Sequence, residues 1–104
     1  MAKIKLEADP TFKAQVAIPV PGSESPALVE FTFKHRTRTE VLAWLDAAKD
    51  ADDVQSVMDC VAAWEMDDAL TAENVKRLCE NYMGAGNAIV ATYLNELRGA
   101  RTKN

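Results

Sequence analysis

The sequence predicts an α+β domain: a small N-terminal antiparallel sheet of two or three strands, then about four short helices ending in a helical hairpin. Three observations carry this. Polar and apolar residues alternate through 11–20 and again through 27–34, the period of half-buried strands. Thr37 with Glu40, and later Thr71, mark helix starts ahead of apolar residues at helical spacing. Gly84 and Gly99 then punctuate the C-terminal third.

Along the chain, residues 3–8 carry Ile4 and Leu6 on one side and suggest a short edge strand, closed by the Asp9-Pro10 turn. Phe12, Ala14, Val16, Ile18 and Val20 next share one face of a strand. Pro19 cannot donate to a ladder, which places this strand at an edge or its end there. Pro21 to Pro26 is a loop by composition. The second strand, 27–34, turns Val29, Phe31 and Phe33 inward and pairs with the first as an antiparallel hairpin.

Helices are expected over about 38–99. The capping box Thr37–Glu40 opens the first, with Val41, Leu42, Trp44, Leu45 and Ala48 as its stripe. Carboxylates between Asp50 and Asp53 suit a second start, and Val54, Val57, Met58 and Val61 carry that helical face to Trp64. Thr71 caps a third helix, with Leu70 and Val75 placed as a hydrophobic staple and Glu73 in the first turn. Val75, Leu78, Cys79 and Tyr82 form its apolar face, and Gly84 stands where a left-handed C-cap would serve. A fourth helix from about Ala85 carries Ile89, Val90, Tyr93 and Leu97, and ends near Gly99. The whole of 1–104 reads as a single domain, strands within about 3–34, with a frayed tail at 100–104.

Composition excludes several function classes. The chain is 48% hydrophobic and 27% charged, an ordinary globular balance. Sixteen carboxylates against 12 Lys plus Arg give −4, unlike the basic excess of a general nucleic-acid binder. No apolar run reaches the ~20 residues of a membrane span, and the charged start MAKIKLEADP lacks a signal-peptide core.

No catalytic constellation emerges. His35, the only histidine, lies among Lys34, Arg36 and Arg38 in a polar connection and reads as a solvated loop residue. Cys60 and Cys79 fit neither CxxC nor a metal-ligand spacing and read as buried small hydrophobes. A calcium loop starting at Asp50 fails, with Gln55 and Val61 where glycine and glutamate are required. Glu65, Asp67 and Asp68 read as solvated acids before a capped helix. No catalytic, metal or cofactor site is therefore expected. The aromatic residues are core by default, but Trp64, beside acids at a helix end, is as well suited to an exposed contact.

The segment 64–99 carries a more specific signal. Trp64-Glu65-Met66-Asp67-Asp68 is followed by Leu70-Thr71-Ala72-Glu73-Asn74, then Asn81-Tyr82-Met83-Gly84-Ala85, then Ile89 through Tyr93 to Glu96-Leu97. In order and spacing this resembles the tail assembly chaperones of long-tailed bacteriophages and prophages. The likeness extends less distinctly back through FTFKHRTRTE.

The resemblance implies a non-enzymatic protein of the bacterial host's cytoplasm, absent from the finished virion. It implies binding to the tape measure protein, keeping its helical segments soluble, and recruitment of tail tube subunits. Self-association is expected, because many copies must cover one long partner; membrane and nucleic-acid partners are not. Partner-binding candidates are Trp64, Asp67, Leu70, Tyr82, Tyr93 and Leu97, on the helical hairpin and the hinge before it. Such families often make a second, longer form by ribosomal frameshift, and Thr102-Lys103-Asn104 is compatible with an A-rich slippery site. The alternative from another class is a small phage-encoded nucleic-acid-binding regulator using the Lys34–Arg38 cluster.

Overall fold

In the computed structural model, which describes residues 4–99, β1 (Thr11–Ile18) and β2 (Ala27–Lys34) pair antiparallel along their full length. The register runs from Thr11 opposite Lys34 to Ile18 opposite Ala27. Side chains alternate across a strand, so Val16 and Ile18 share a face with Phe31 and Phe33, and all four are buried. β1 is an edge strand that stops just before Pro19, as its missing N–H requires.

The third strand is not the one expected. Residues 4–8 form no strand, and Ile4 and Leu6 are exposed. The Lys5 ammonium instead pairs with Asp9 Oδ1 at 2.6 Å across one bend. The sheet order is β1-β2-β3, and β3 is Val61–Trp64, a segment whose apolar spacing suggested continued helix. The free edge of β2 explains the difference, because its backbone groups need partners that a helix there would withhold. Phe31 faces Trp64 and Thr32 faces Ala63, with an irregularity before Phe33 meets Val61. Glu65 N–H extends the pairing to Glu30 O at 3.0 Å. Long-range pairing overrides the local period.

The helices begin where their caps predict. Before α1 (Arg38–Ala47), Thr37 Oγ1 accepts from Glu40 N–H at 3.1 Å, and Glu40 Oε1 accepts from Thr37 N–H at 2.8 Å. That second bond holds the Glu40 carboxyl below its usual range. A short 3₁₀ turn, Ala48–Asp50, leads to α2 (Asp53–Cys60), capped by Asp52. Thr71 caps α3 (Ala72–Asn81) through Asn74 N–H at 3.1 Å.

The turn into α4 (Ala85–Arg98) corrects one expectation. Gly84 has φ −85°, so it is not a left-handed cap; Tyr82 ends α3 and Gly84 precedes α4. Its lack of a side chain serves packing, since a Cβ would lie 3.0 Å from Pro19 Cγ. Gly99 does adopt the left-handed cap, with φ 73°. The α3–α4 hairpin packs on α2, while α4 also lies across β1. Val57, Cys60, Val75, Ile89 and Tyr93 join the sheet's inner face to make one core. The expected frayed tail and the first residue of the expected 3–8 strand lie outside the described residues.

Candidate partner-binding grooves

The predicted surface residues divide into three places. Trp64 and Tyr82 are half-buried and line one groove of about 200 Å³ with Met66, Asp68, Arg77 and Leu78. Asp67 is exposed between the lining residues Met66 and Asp68, and Leu70 packs half-buried against the core. The Trp64 ring meets Phe31 edge-on at 6.2 Å, and its Nε1–H donates to Asp68 O at 2.7 Å. Asn74 Nδ2 donates to Ala69 O at 2.8 Å, and Arg77 Nη1 to Asn74 Oδ1 at 3.1 Å. Three hydrogen bonds of this groove's polar edge are therefore made internally.

Tyr93 does not belong to a surface. It is fully buried, stacked with Phe12 and tilted against Phe33, and its hydroxyl donates to Lys34 O at 2.8 Å. The apolar spacing that placed it on the hairpin's face is the face that packs inward onto the sheet. Tyr93 is a core residue.

Leu97 lies elsewhere, in a second groove of about 610 Å³ between α1 and the end of α4. Val41, Leu42 and Leu94 complete its apolar floor, and His35, Arg36, Thr37, Arg38 and Arg98 surround it. Sequence reasoning placed Leu42 on the α1 core stripe, yet it is 64% exposed. At about 100° per residue, Trp44 and Leu42 point to nearly opposite sides of the helix. With Trp44 in the core, Leu42 must face out, and that angle was the available signal.

The basic stretch at 34–38 is partly structural. Arg36 Nη1 donates to Tyr93 Oη at 3.0 Å and Nη2 to Asp59 O at 3.1 Å. Its guanidinium carbon lies 4.9 Å from the Trp44 ring centre, within cation–π range. Trp44 Nε1–H in turn donates to Asp59 Oδ2 at 3.3 Å. Phe31 and Phe33 are fully buried and offer no stacking platform for bases. The nucleic-acid reading loses its aromatics.

The titratable chemistry of the described core is inert. Burial pushes the Cys60 thiol up to about 12 and the Cys79 thiol up to about 11. Such thiols are not nucleophiles at neutral pH. Among the described residues, no group of three or more His, Cys, Asp and Glu could hold a metal ion.

The sequence model of a family described as phage tail assembly chaperone matches residues 1–104, the whole chain. The chain belongs to the phage tail assembly chaperone family. No curated protein and no solved structure matches it. Membership of the tail assembly chaperones implies a non-enzymatic role, so the relevant surfaces are those able to hold another chain. In this tail assembly chaperone one groove is lined by Trp64 and residues of α3, and the other by residues of α1 and α4. No described helix is long and apolar enough to cross a membrane.

Proposed function

We propose that this tail assembly chaperone binds the tape measure protein in the host cytoplasm and keeps its apolar helical segments soluble. It then helps recruit tail tube subunits and is left out of the finished virion. Several copies act on one partner, consistent with a short chain serving a long one. The observation that carries the reading is the α1–α4 groove, where an exposed Leu42 and half-buried Leu94 and Leu97 lie inside a polar rim. An apolar groove with such a rim is the form that accepts an amphipathic helix. Leu97, Trp64, Tyr82, Leu70 and Asp67 remain the contact candidates, with Tyr93 withdrawn into the core.

The test is co-expression with the tape measure protein, affinity capture of this chain and a solubility assay. Soluble partner that co-purifies with several copies of the chaperone is the expected result. Insoluble partner with this chain eluting alone, both as it stands and as a longer frameshifted form, would sink the reading.

A further inference from the structure

The α1–α4 groove differs from the rest of the molecule in charge. Carboxylates outnumber Lys plus Arg by 16 to 12 over the chain. Among the described residues, no carboxylate lines this groove, whereas His35, Arg36, Arg38 and Arg98 do. Glu40, the first acid of α1, caps its own helix through Thr37, where its carboxylate also feels the charges of His35 and Arg36. Arg36 is pinned by Tyr93, Asp59 and Trp44, so its charge stays at the groove and cannot swing away. The first turn of α1 adds the positive end of a helix dipole, and Arg98 offsets the negative end of α4.

We propose that this groove seats an amphipathic helix whose apolar stripe is flanked by carboxylates. The stripe lies on Val41, Leu42, Leu94 and Leu97, and the flanking acids meet Arg38 and Arg98 at the rim. Two features select an acidic helix over a phosphate backbone. The floor between the arginines is aliphatic, which a sugar–phosphate chain cannot use. The aromatic side chains that would stack bases are spent in the core. The volume of about 610 Å³ also exceeds that of the Trp64 groove, about 200 Å³, and a third groove of about 700 Å³ is lined by Asp52, Asp53, Glu73 and Glu80, the wrong charge for an acidic helix. The inference rests on the chaperone reading only for which protein carries the helix.

The experiment uses the full chain and two synthetic peptides of about 18 residues, long enough for several helical turns. Both carry the same leucine stripe, one flanked by glutamates and the other by lysines. Binding is read by fluorescence anisotropy for the native chain, Leu42→Glu, the double variant Arg38→Glu with Arg98→Glu, and Leu28→Glu. Leu42, Arg38, Arg98 and Leu28 are exposed, and thermal melts check that each variant folds. The glutamate peptide is expected to bind the native chain and Leu28→Glu alike, more tightly at low salt. Its affinity is expected to fall roughly tenfold or more in the two groove variants, with no binding of the lysine peptide.

Equal binding of both peptides, or equal loss in Leu28→Glu, would overturn the proposal. So would binding of a single-stranded oligonucleotide in place of the peptide. Conversion of an oligomer to monomer by Leu42→Glu, with no peptide bound by the native chain, would assign the groove to a second copy instead. Capture of the tape measure protein is scored separately. If both groove variants capture it as well as the native chain, the groove assignment falls and the chaperone reading stands. If the native chain binds the glutamate peptide but captures nothing, the chaperone reading falls and the groove assignment stands.

Discussion

Arg36 and Tyr93, one on the strand-to-helix connection and one at the centre of α4, are joined by a 3.0 Å hydrogen bond to the tyrosine hydroxyl. The same hydroxyl donates to Lys34 O at 2.8 Å, so it accepts from one residue and donates to another. This single oxygen ties the end of β2, the entry to α1 and α4 into one unit. It also fixes the guanidinium that borders the α1–α4 groove. Core and candidate site are coupled through one side chain.

Tyr93→Phe keeps the ring and removes that oxygen. Lys34 O then loses its donor and Arg36 Nη1 its acceptor, in a part-buried region. A loss of about 1–3 kcal/mol is expected, the usual cost of leaving such groups unpaired. Urea unfolding of the variant beside the native chain measures it; an unchanged midpoint would refute the coupling.

Gly86→Ala tests the approach of α4 to α2. In an exposed helix interior this change stabilises, because alanine is the better helix former by about 1 kcal/mol. Here the new Cβ would sit 3.0 Å from both Asp53 Cβ and Asp53 Oδ2. Asp53 Cβ is rigidly attached to α2, so the helices must separate to admit the methyl. The expected sign is therefore reversed, with destabilisation of roughly 1–3 kcal/mol from overpacking. Thermal melting gives the sign directly.

Alkaline pH should weaken the fold through the buried thiols. Burial raises Cys60 from 9.0 to about 12 and Cys79 from 9.0 to about 11. Above pH 9 the unfolded chain releases protons that the native chain retains, so stability falls as pH rises. The effect is absent below pH 9, where both states keep their thiols protonated, and grows toward the folded values. Burial also raises Tyr93 above 10.0, and it acts in the same direction. Urea midpoints from pH 8 to about pH 10.5 should decline more steeply in the native chain than in Cys60→Ala. A parallel decline would show that the Cys60 thiol is not responsible.

Much of the fold was legible because its causes are local. Alternation placed β1 and β2, hydroxyl caps at Thr37 and Thr71 placed two helix starts, and the carboxylates between Asp50 and Asp53 placed a third. The strand at Val61–Trp64 was not legible, since Val57 and Val61 keep helical spacing and the deciding partner, the β2 edge, is some thirty residues away. Ile4 and Leu6 failed for the converse reason: they alternate correctly but occupy no edge. In the candidate site, Trp64, Tyr82 and Leu97 were read as one surface, whereas Trp64 and Tyr82 line one groove and Leu97 another. The α1 side of the α1–α4 groove was not foreseeable, because it joins residues far apart in the chain, and Tyr93 shows that an apolar face alone does not say which side is buried.

Trp64→Phe separates the two jobs of that tryptophan. Phenylalanine keeps an aromatic ring against Phe31 but cannot donate to Asp68 O, the 2.7 Å bond that ties β3 to the connection before α3. The bond lies at an exposed loop, so its loss should cost the global fold only about 0.5–1.5 kcal/mol. Its local effect should be larger, because loops held by few contacts open independently of the core. Amide hydrogen exchange across 65–71 is expected to quicken severalfold, while exchange in β2 and α4 changes only as global stability does. If 65–71 exchanges at the native rate, the connection is held by the core packing of Met66 and Leu70 instead of by the indole.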